Sequence, residues 1–280
     1  IDRSRGLGDV YKRQDIHTDH PRRKSLASRQ KIVDAQAAGM LADSALIAHG
    51  RGEAFDYLLG EKTIDSARQS QREAVNRLFS AQEPVISMNG NSTILAGKNA
   101  VRLAALTGSK LEVNIFYRTE KRMNLLLEKM KFMKDEVMAS QPPKRFTVVE
   151  WKQLVSQVEI LGAHQDSLIP GLEGPRARCC SGGIFQSDVI LVPLEDGDRC
   201  QALISMSKQV IVVDLNPLSR TSRFATVTIV DEVARAFSTM TDMAVEGKGD
   251  PDMDWDNQSV LESALNAIGN SAHRISELDD

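Results

Sequence analysis

Several absences narrow what this sequence encodes. Its three cysteines, Cys179, Cys180 and Cys200, are odd in number and two are adjacent, so they form no disulfide framework. No CxxC pair occurs, and the five histidines, at 17, 20, 49, 164 and 273, do not fall at metal-ligand spacing. Reduced thiols and a cytoplasmic location are the expectation. No apolar run approaches the roughly 20 residues that cross a bilayer, and no signal-like apolar segment is visible near the first residue. Charge is nearly balanced, 35 basic against 38 acidic residues for a net −3. Neither a membrane nor nucleic acid is therefore an expected partner. The chain lacks a P-loop, GxSxG and HExxH, which weakens kinase, hydrolase and zinc-enzyme readings.

What is present is an alternation of elements. Residues 1–14, IDRSRGLGDVYKRQ, show no periodicity and are set aside as a non-native or disordered segment. A helical section is expected over 15–80, first from Ser28 as N-cap, with Val33, Ala37, Met40 and Leu41 on one face, flanked by Ile32. A further helix is expected over 64–80. From 81 to 243 the runs PVISM, LEVNIF, RFTVVE, DVILVPL, QVIVVDL and ATVTIVD read as strands, separated by helices such as 94–107 and the Met-rich stretch after 119. Met123, Leu126, Leu127, Met130 and Met133 fall on one helical face and are assigned to core. Continuous Val/Ile strands between helices imply a parallel sheet covered on both faces. The fold class is α/β, Rossmann-like and doubly wound, with a mainly parallel sheet and an N-terminal helical section. Residues 161–183 read as loop, and 244–280 as a linker, a short helix and a frayed tail.

In such sheets ligands sit beyond the carboxyl ends of the strands. PVISM ends in Asn89-Gly90-Asn91, DVILVPL in Glu195-Asp196-Gly197-Asp198-Arg199, and QVIVVDL in Asp214-Leu215-Asn216 followed by Ser219-Arg220-Thr221. Each has a plainer reading as a turn, because Asn-Gly, Asp-Gly and Asn-Pro dipeptides favour turns. Read as a site, Asp214 would accept from ribose hydroxyls and Asn216 would read an adenine edge. Arg220 would offer a planar fork to phosphate and Thr221 a hydroxyl. In GRGEAF, Gly50 and Gly52 flank Arg51, and spacing alone does not separate an anion site from a helix end.

Taken together and in order, GRGEAFDYLLGEKT, PVISMNGN, KLEVNIFYRTEKR, IPGLE, SDVILVPLEDGDR, VIVVDLNPLSRTS and ATVTIVD resemble the archaeal 4-phosphopantoate–β-alanine ligases, the phosphopantothenate synthetases. The resemblance runs from the DHPR stretch at 19 to the ALNAI helix. It implies a cytoplasmic homodimer of coenzyme A synthesis that joins 4-phosphopantoate to β-alanine through an acyl-adenylate, converting ATP, with Mg²⁺, to AMP and diphosphate. It also implies ATP contacts at Arg29, Arg51, Asp214, Leu215, Asn216, Arg220, Thr221, Glu232 and Val233. Glu232 departs from the residue the family carries there, which leaves that contact to backbone; the 138–183 section departs as well. From topology alone, Asn89, Asn91, Asp196, Asp198 and Arg199 are assigned to 4-phosphopantoate, Mg²⁺ or β-alanine, and no residue is singled out as a resident metal ligand. The competing readings are an oxidoreductase, which needs a glycine-rich turn after the first strand, and a non-catalytic nucleotide-binding regulator.

Overall fold

The computed structural model describes residues 17, 19–193 and 196–272. The segment 1–14, Glu195 and the tail beyond 272 lie outside the described residues. Three helices come first: α1 (Arg23–Ala37), α2 (Asp43–Leu58) and α3 (Asp65–Ser80). The sheet elements follow as β1 (Pro84–Met88), α4 (Gly90–Thr107), β2 (Lys110–Val113), α5 (Glu120–Ala139), α6 (Val148–Gln157) and β3 (Ile160–Leu161). A two-stranded antiparallel ribbon, β4 (Ser167–Leu168) and β5 (Arg178–Cys179), precedes β6 (Val189–Pro193). The chain continues through α7 (Gly197–Ser205), β7 (Gln209–Val213), α8 (Arg220–Phe224) and β8 (Val227–Ile229) to α9 (Val233–Glu246) and α10 (Asn257–Gly269).

The main sheet has the order β3-β2-β1-β6-β7-β8, and every pairing in it is parallel. The chain thus winds outward from β1 to β3, then returns beside β1 and winds the other way. This doubly wound order places a topological switch point between β1 and β6. The period-2 geometry of strands divides the apolar residues between two cores. Ile86, Met88, Leu191, Ile211, Val213, Val227 and Ile229 face one cluster that includes α3, α4, α5, α6 and α9 residues. Val85, Ile190, Val192, Val210 and Val212 face the other, closed by Ile184, Cys200 and Leu203. The Met-rich face of α5 is core as expected, with Met123, Leu126, Leu127, Met130 and Met133 all buried. All three thiols are buried, and burial pushes Cys179 up to about 11 and Cys180 to about 12.

Several sequence expectations are corrected. RFTVVE is not a strand: Thr147 and Glu150 form a capping box that starts α6 at Val148. Val148 and Val149 are 55% and 75% exposed, and the buried face begins at Trp151. Ser28 lies inside α1 rather than at its start; Ile32 and Ala35 face inward and Val33 does not. Met40 and Leu41 fall beyond the helix end, so they never shared its period. LEVNIF, QVIVVDL and ATVTIVD leave their ladders at Val113, Val213 and Ile229, three, two and two residues before the expected ends. The 161–183 section carries the β4–β5 ribbon and single helical turns. Residues after Glu246 are fastened to α3, where Asn76 donates to Asp250 O, Arg77 donates to Asp252 O and Glu73 accepts from Asp252 N.

A buried charge cluster fixes the N-terminal helices to the sheet. Asp231, just past β8, accepts from Arg235 of α9, Gln71 of α3 and Thr63, at 2.5, 2.8 and 2.7 Å. Arg235 also donates to Asp56 of α2 at 2.6 Å. Burial is what supports α9 from beneath: Phe237 is fully enclosed in the larger core. Phe237→Ala should lower the unfolding free energy by about 3–5 kcal/mol in denaturant titration, the range for emptying an aromatic core site.

Candidate active site

Three strand ends meet at the switch point. After β1, Asn89 caps α4: its side chain accepts from Ser92 N–H, and the Ser92 hydroxyl accepts from Asn89 N–H, both at 2.9 Å. None of the Asn89-Gly90-Asn91 residues takes a positive φ, so this is a helix start and not a hairpin-type turn. The Asn89 amide then donates to Pro193 O at 2.9 Å, tying the end of β1 to the end of β6. After β2, Asn114 donates to Glu112, and its amide oxygen accepts from Arg199 of α7 at 2.9 Å. Glu112 is fully buried; burial pushes its carboxyl up, against hydrogen bonds from Ile184 N, Asn114 and Cys180 N.

Between these ends lies a cavity of about 210 Å³. Ser87, Asn89, Asn114 and Arg199 are its polar lining, and Val192, Pro193 and Phe116 its apolar lining. Arg176 and Asp196 stand at its edge. Asp196 caps α7 and accepts from Arg176 at 2.7 Å; Arg176 also reaches Asp198 at 3.4 Å. Burial would raise the Asp196 carboxyl, but Arg176 and the Asp198 N–H outweigh it and hold it below the usual aspartate range. Asp198 pairs on its other oxygen with Arg220 at 2.7 Å. Both aspartates are thus ion-paired, and among the described residues no group of three or more His, Cys, Asp or Glu could hold a metal.

The ends of β7 and β8 form an adjoining region. Asp214 accepts from Asn216 N–H and from the Ser219 hydroxyl, and Asn216 accepts from Leu218 N–H. The turn reading of these two side chains is realised. Leu215 is buried against Leu59, Val230 and Leu261, and Gly52 of α2 passes close to it. Arg51, next to Gly52, is exposed. One turn along α2, Asp56 meets Arg235, so α2 lies across the ends of both strands. Glu232 caps α9 with its carboxylate, accepting from Ala234 and Arg235 N–H, while Val233 is buried. That departure thus has a local function: the side chain fills the helix N-terminus itself. Arg29 is set back, gripping Glu53 of α2 at 2.6 Å.

The structure therefore brings Asn89, Asp196, Asp198, Arg199 and Arg220 into one connected group, and sets α2, which carries Arg51, beside Leu215 and Glu232. Thr221 is buried in the first turn of α8. Asn91 does not join the cavity lining; its amide donates to Ala45 O at 2.9 Å and holds α4 to α2. Sequence reasoning missed Glu112, Asn114, Phe116 and Arg176. Glu112 and Asn114 did leave a signal, two polar residues at alternate positions of an otherwise apolar run. Arg176 left none, because its loop reaches the site through the ribbon.

The arrangement is that of a doubly wound α/β protein with a polar crevice, edged by arginines, at its switch point. The phosphopantothenate/pantothenate synthetase family matches residues 66–271, and the chain belongs to that family. The 4-phosphopantoate–β-alanine ligase of Thermococcus onnurineus is 45% identical over 233 residues, covering 83% of this chain and 81% of the relative. That of Methanosarcina mazei is 41% identical over 261 residues, covering 91% and 94%. The corresponding ligase of Methanospirillum hungatei is 42% identical over 231 residues, covering 82% and 85%.

The α1–α2 contact has a pH signature. Burial would raise Glu53, but hydrogen bonds from Arg29 and Ser25 outweigh it and hold the carboxyl below its ordinary 4.5. A depressed carboxyl stabilises above its ordinary value and loses that contribution as pH falls. Wild type should therefore exceed Glu53→Gln in thermal midpoint at pH 7, and the gap should close as pH drops below 4.5.

Proposed function

We propose that this protein is an ATP-dependent acid–amine ligase that condenses 4-phosphopantoate with β-alanine, releasing AMP and diphosphate, in coenzyme A synthesis. The observation that carries this reading is the arginine-edged crevice at the switch point of a chain belonging to the phosphopantothenate/pantothenate synthetase family. Its relatives bear the name of that ligase along most of their length.

In this reading ATP lies over the ends of β7 and β8. Arg29, Arg51, Asp214, Leu215, Asn216, Arg220, Thr221, Glu232 and Val233 are its contacts. Asp214 and Asn216, held rigid by their own turns, present remaining lone pairs and the Asn216 amide to the nucleoside. Glu232 already fills the α9 N-terminus with a negative charge. The phosphates accordingly extend the other way, toward Arg220 and Arg51. The acid substrate and β-alanine occupy the neighbouring side, near Asn89, Asp196, Asp198 and Arg199, with Asn91 acting behind them to position α4. The acid's carboxylate attacks the α-phosphate, diphosphate leaves, and the amine then opens the acyl-adenylate. Charge accumulates on the α-phosphate in the first step, so fixed arginines favour that transition state. Mg²⁺ bound with the nucleotide would supply charge neutralisation. The ion-paired state of Asp196 and Asp198 fits that role better than a resident metal. A homodimer and a cytoplasmic location complete the reading; no described helix is long and apolar enough to cross a membrane.

The oxidoreductase alternative fares worse on geometry. A dinucleotide pyrophosphate sits at the helix N-terminus after the first strand, against a glycine-rich turn. Here that N-terminus is closed by the Asn89–Ser92 capping box. The regulator alternative is separated by turnover. AMP should form only when ATP and 4-phosphopantoate are both supplied, with sustained release needing β-alanine; equal AMP release without the acid would sink the ligase reading. Arg220→Ala should weaken ATP binding by about 1.5–3 kcal/mol in calorimetry, the scale of hydrogen bonds to charged groups. Unchanged affinity would remove Arg220 from the nucleotide contacts.

A further inference from the structure

We propose that the switch-point cavity selects the branched, doubly anionic acid, with Phe116 as an apolar wall against its dimethyl carbon and Arg176 as a cationic clamp at the mouth. The proposal rests on the ligase reading and deepens it, since neither residue follows from the family resemblance.

Size decides first. At about 210 Å³ the cavity falls below the roughly 300–1,000 Å³ that enclose drug-sized ligands. A whole ATP does not fit it, whereas a six-carbon phosphorylated acid is of the right order. Chemistry decides next. 4-Phosphopantoate carries a quaternary carbon with two methyl groups, set between a hydroxy-carboxylate and a phosphate. Such a ligand needs an apolar wall with cationic and hydrogen-bonding groups beside it. β-Alanine is an unbranched zwitterion and has no use for the wall.

The cavity supplies both features. Phe116, Val192 and Pro193 give it apolar lining, and Ser87, Asn114 and Arg199 polar lining, with Arg199 bonded to Asn114. Phe116 stands 51% exposed in the loop after β2, with Tyr117 edge-on at 4.7 Å and the Arg176 guanidinium 5.8 Å from its centroid. A large aromatic half in solvent, backed by an arginine, is a surface suited to covering a ligand's methyl groups. Arg176 meets Asp196 and Asp198 through Nη1 alone. Among the described contacts its Nε and Nη2 are left for a bidentate grip on carboxylate or phosphate. The same aspartates connect it to Arg220, which places the acid beside the proposed nucleotide phosphates.

The test is a calorimetric titration of wild type, Phe116→Ala and Arg176→Ala, with and without a non-hydrolysable ATP analogue. The ligands are 4-phosphopantoate and its analogue lacking both methyl groups. Wild type should prefer the dimethyl acid by about tenfold or more, the scale of one or two methyl groups in an apolar site. Phe116→Ala should bring that preference close to one. Arg176→Ala should weaken both acids by about tenfold or more, as for a lost charged hydrogen bond. Affinity for the ATP analogue should stay within about twofold in both variants. Both side chains are partly exposed, so circular dichroism should report an unchanged fold. An intact dimethyl preference in Phe116→Ala, or lost nucleotide binding with intact acid binding in Arg176→Ala, would overturn the proposal. So would failure of wild type to bind the acid. Wild type that binds the acid but forms no AMP would instead count against the ligase reading alone.

Discussion

A carboxylate removed from water must be given hydrogen bonds, and the region around the switch point is organised by one such demand. Glu112 sits on β2 with no exposed surface, where an unpaired charge would cost several kcal/mol. Its oxygens accept from Cys180 N, Ile184 N and the Asn114 amide at 3.1, 2.8 and 3.0 Å. Two of those donors belong to the turn at 180–184, which is thereby pulled against the sheet. Gly183 has to lack a side chain there, because a Cβ would run into the Glu112 carboxylate. The third donor sets the orientation of Asn114, so that its oxygen faces Arg199. Arg199 in turn donates to Arg176 O at 3.1 Å, steadying the loop that carries the Arg176 guanidinium. One buried carboxyl thus supports Asn114 and Arg199 in the cavity lining, the loop that carries Arg176, and the ribbon behind it.

How legible this was in the sequence depended on whether the signal was local. Continuous apolar strands such as VILVP and QVIVV, and the Met-rich face of α5, announce themselves by periodicity, and the doubly wound sheet follows from their alternation. RFTVVE misled because Val148 and Val149 have high strand propensity, while the deciding feature was the Thr147–Glu150 reciprocal cap. Val149 is mostly in solvent, so its branched side chain made no packing demand that could oppose the helix. Strand ends ran long in the sequence reading for a related reason. Asp214 and Asp231 follow apolar stretches directly, yet they turn the chain by side-chain bonds instead of extending the ladder.

The site was legible in part. Strand-end clusters pointed to the end of the sheet where the cavity lies, and Asp196, Arg199 and Asn89 all line it. What spacing could not show was how far each group is already committed. Asp198 is shared between two arginines, Asn91 is spent on holding Ala45, and Glu232 closes its own helix. Arg176 and Phe116 enter from loops more than fifty residues apart, a juxtaposition that exists only once β2 and the ribbon are side by side. Local pattern has no access to it.

The clamp that seats α2 has a consequence for how the chain is made. Asp56 meets Arg235 across 179 residues of sequence, and Thr63 meets Asp231 across 168. As the chain leaves the ribosome, the first helices emerge long before β8 and α9, the elements that neutralise and bury them. Closing so large a loop is slow compared with helix formation, and domains tend to complete folding as units. The first helices can already pack on α4, through Asn91 and Ala45, but the Asp56–Arg235 clamp closes only after nearly the whole sheet has been synthesised, with Asp56 hydrated until then.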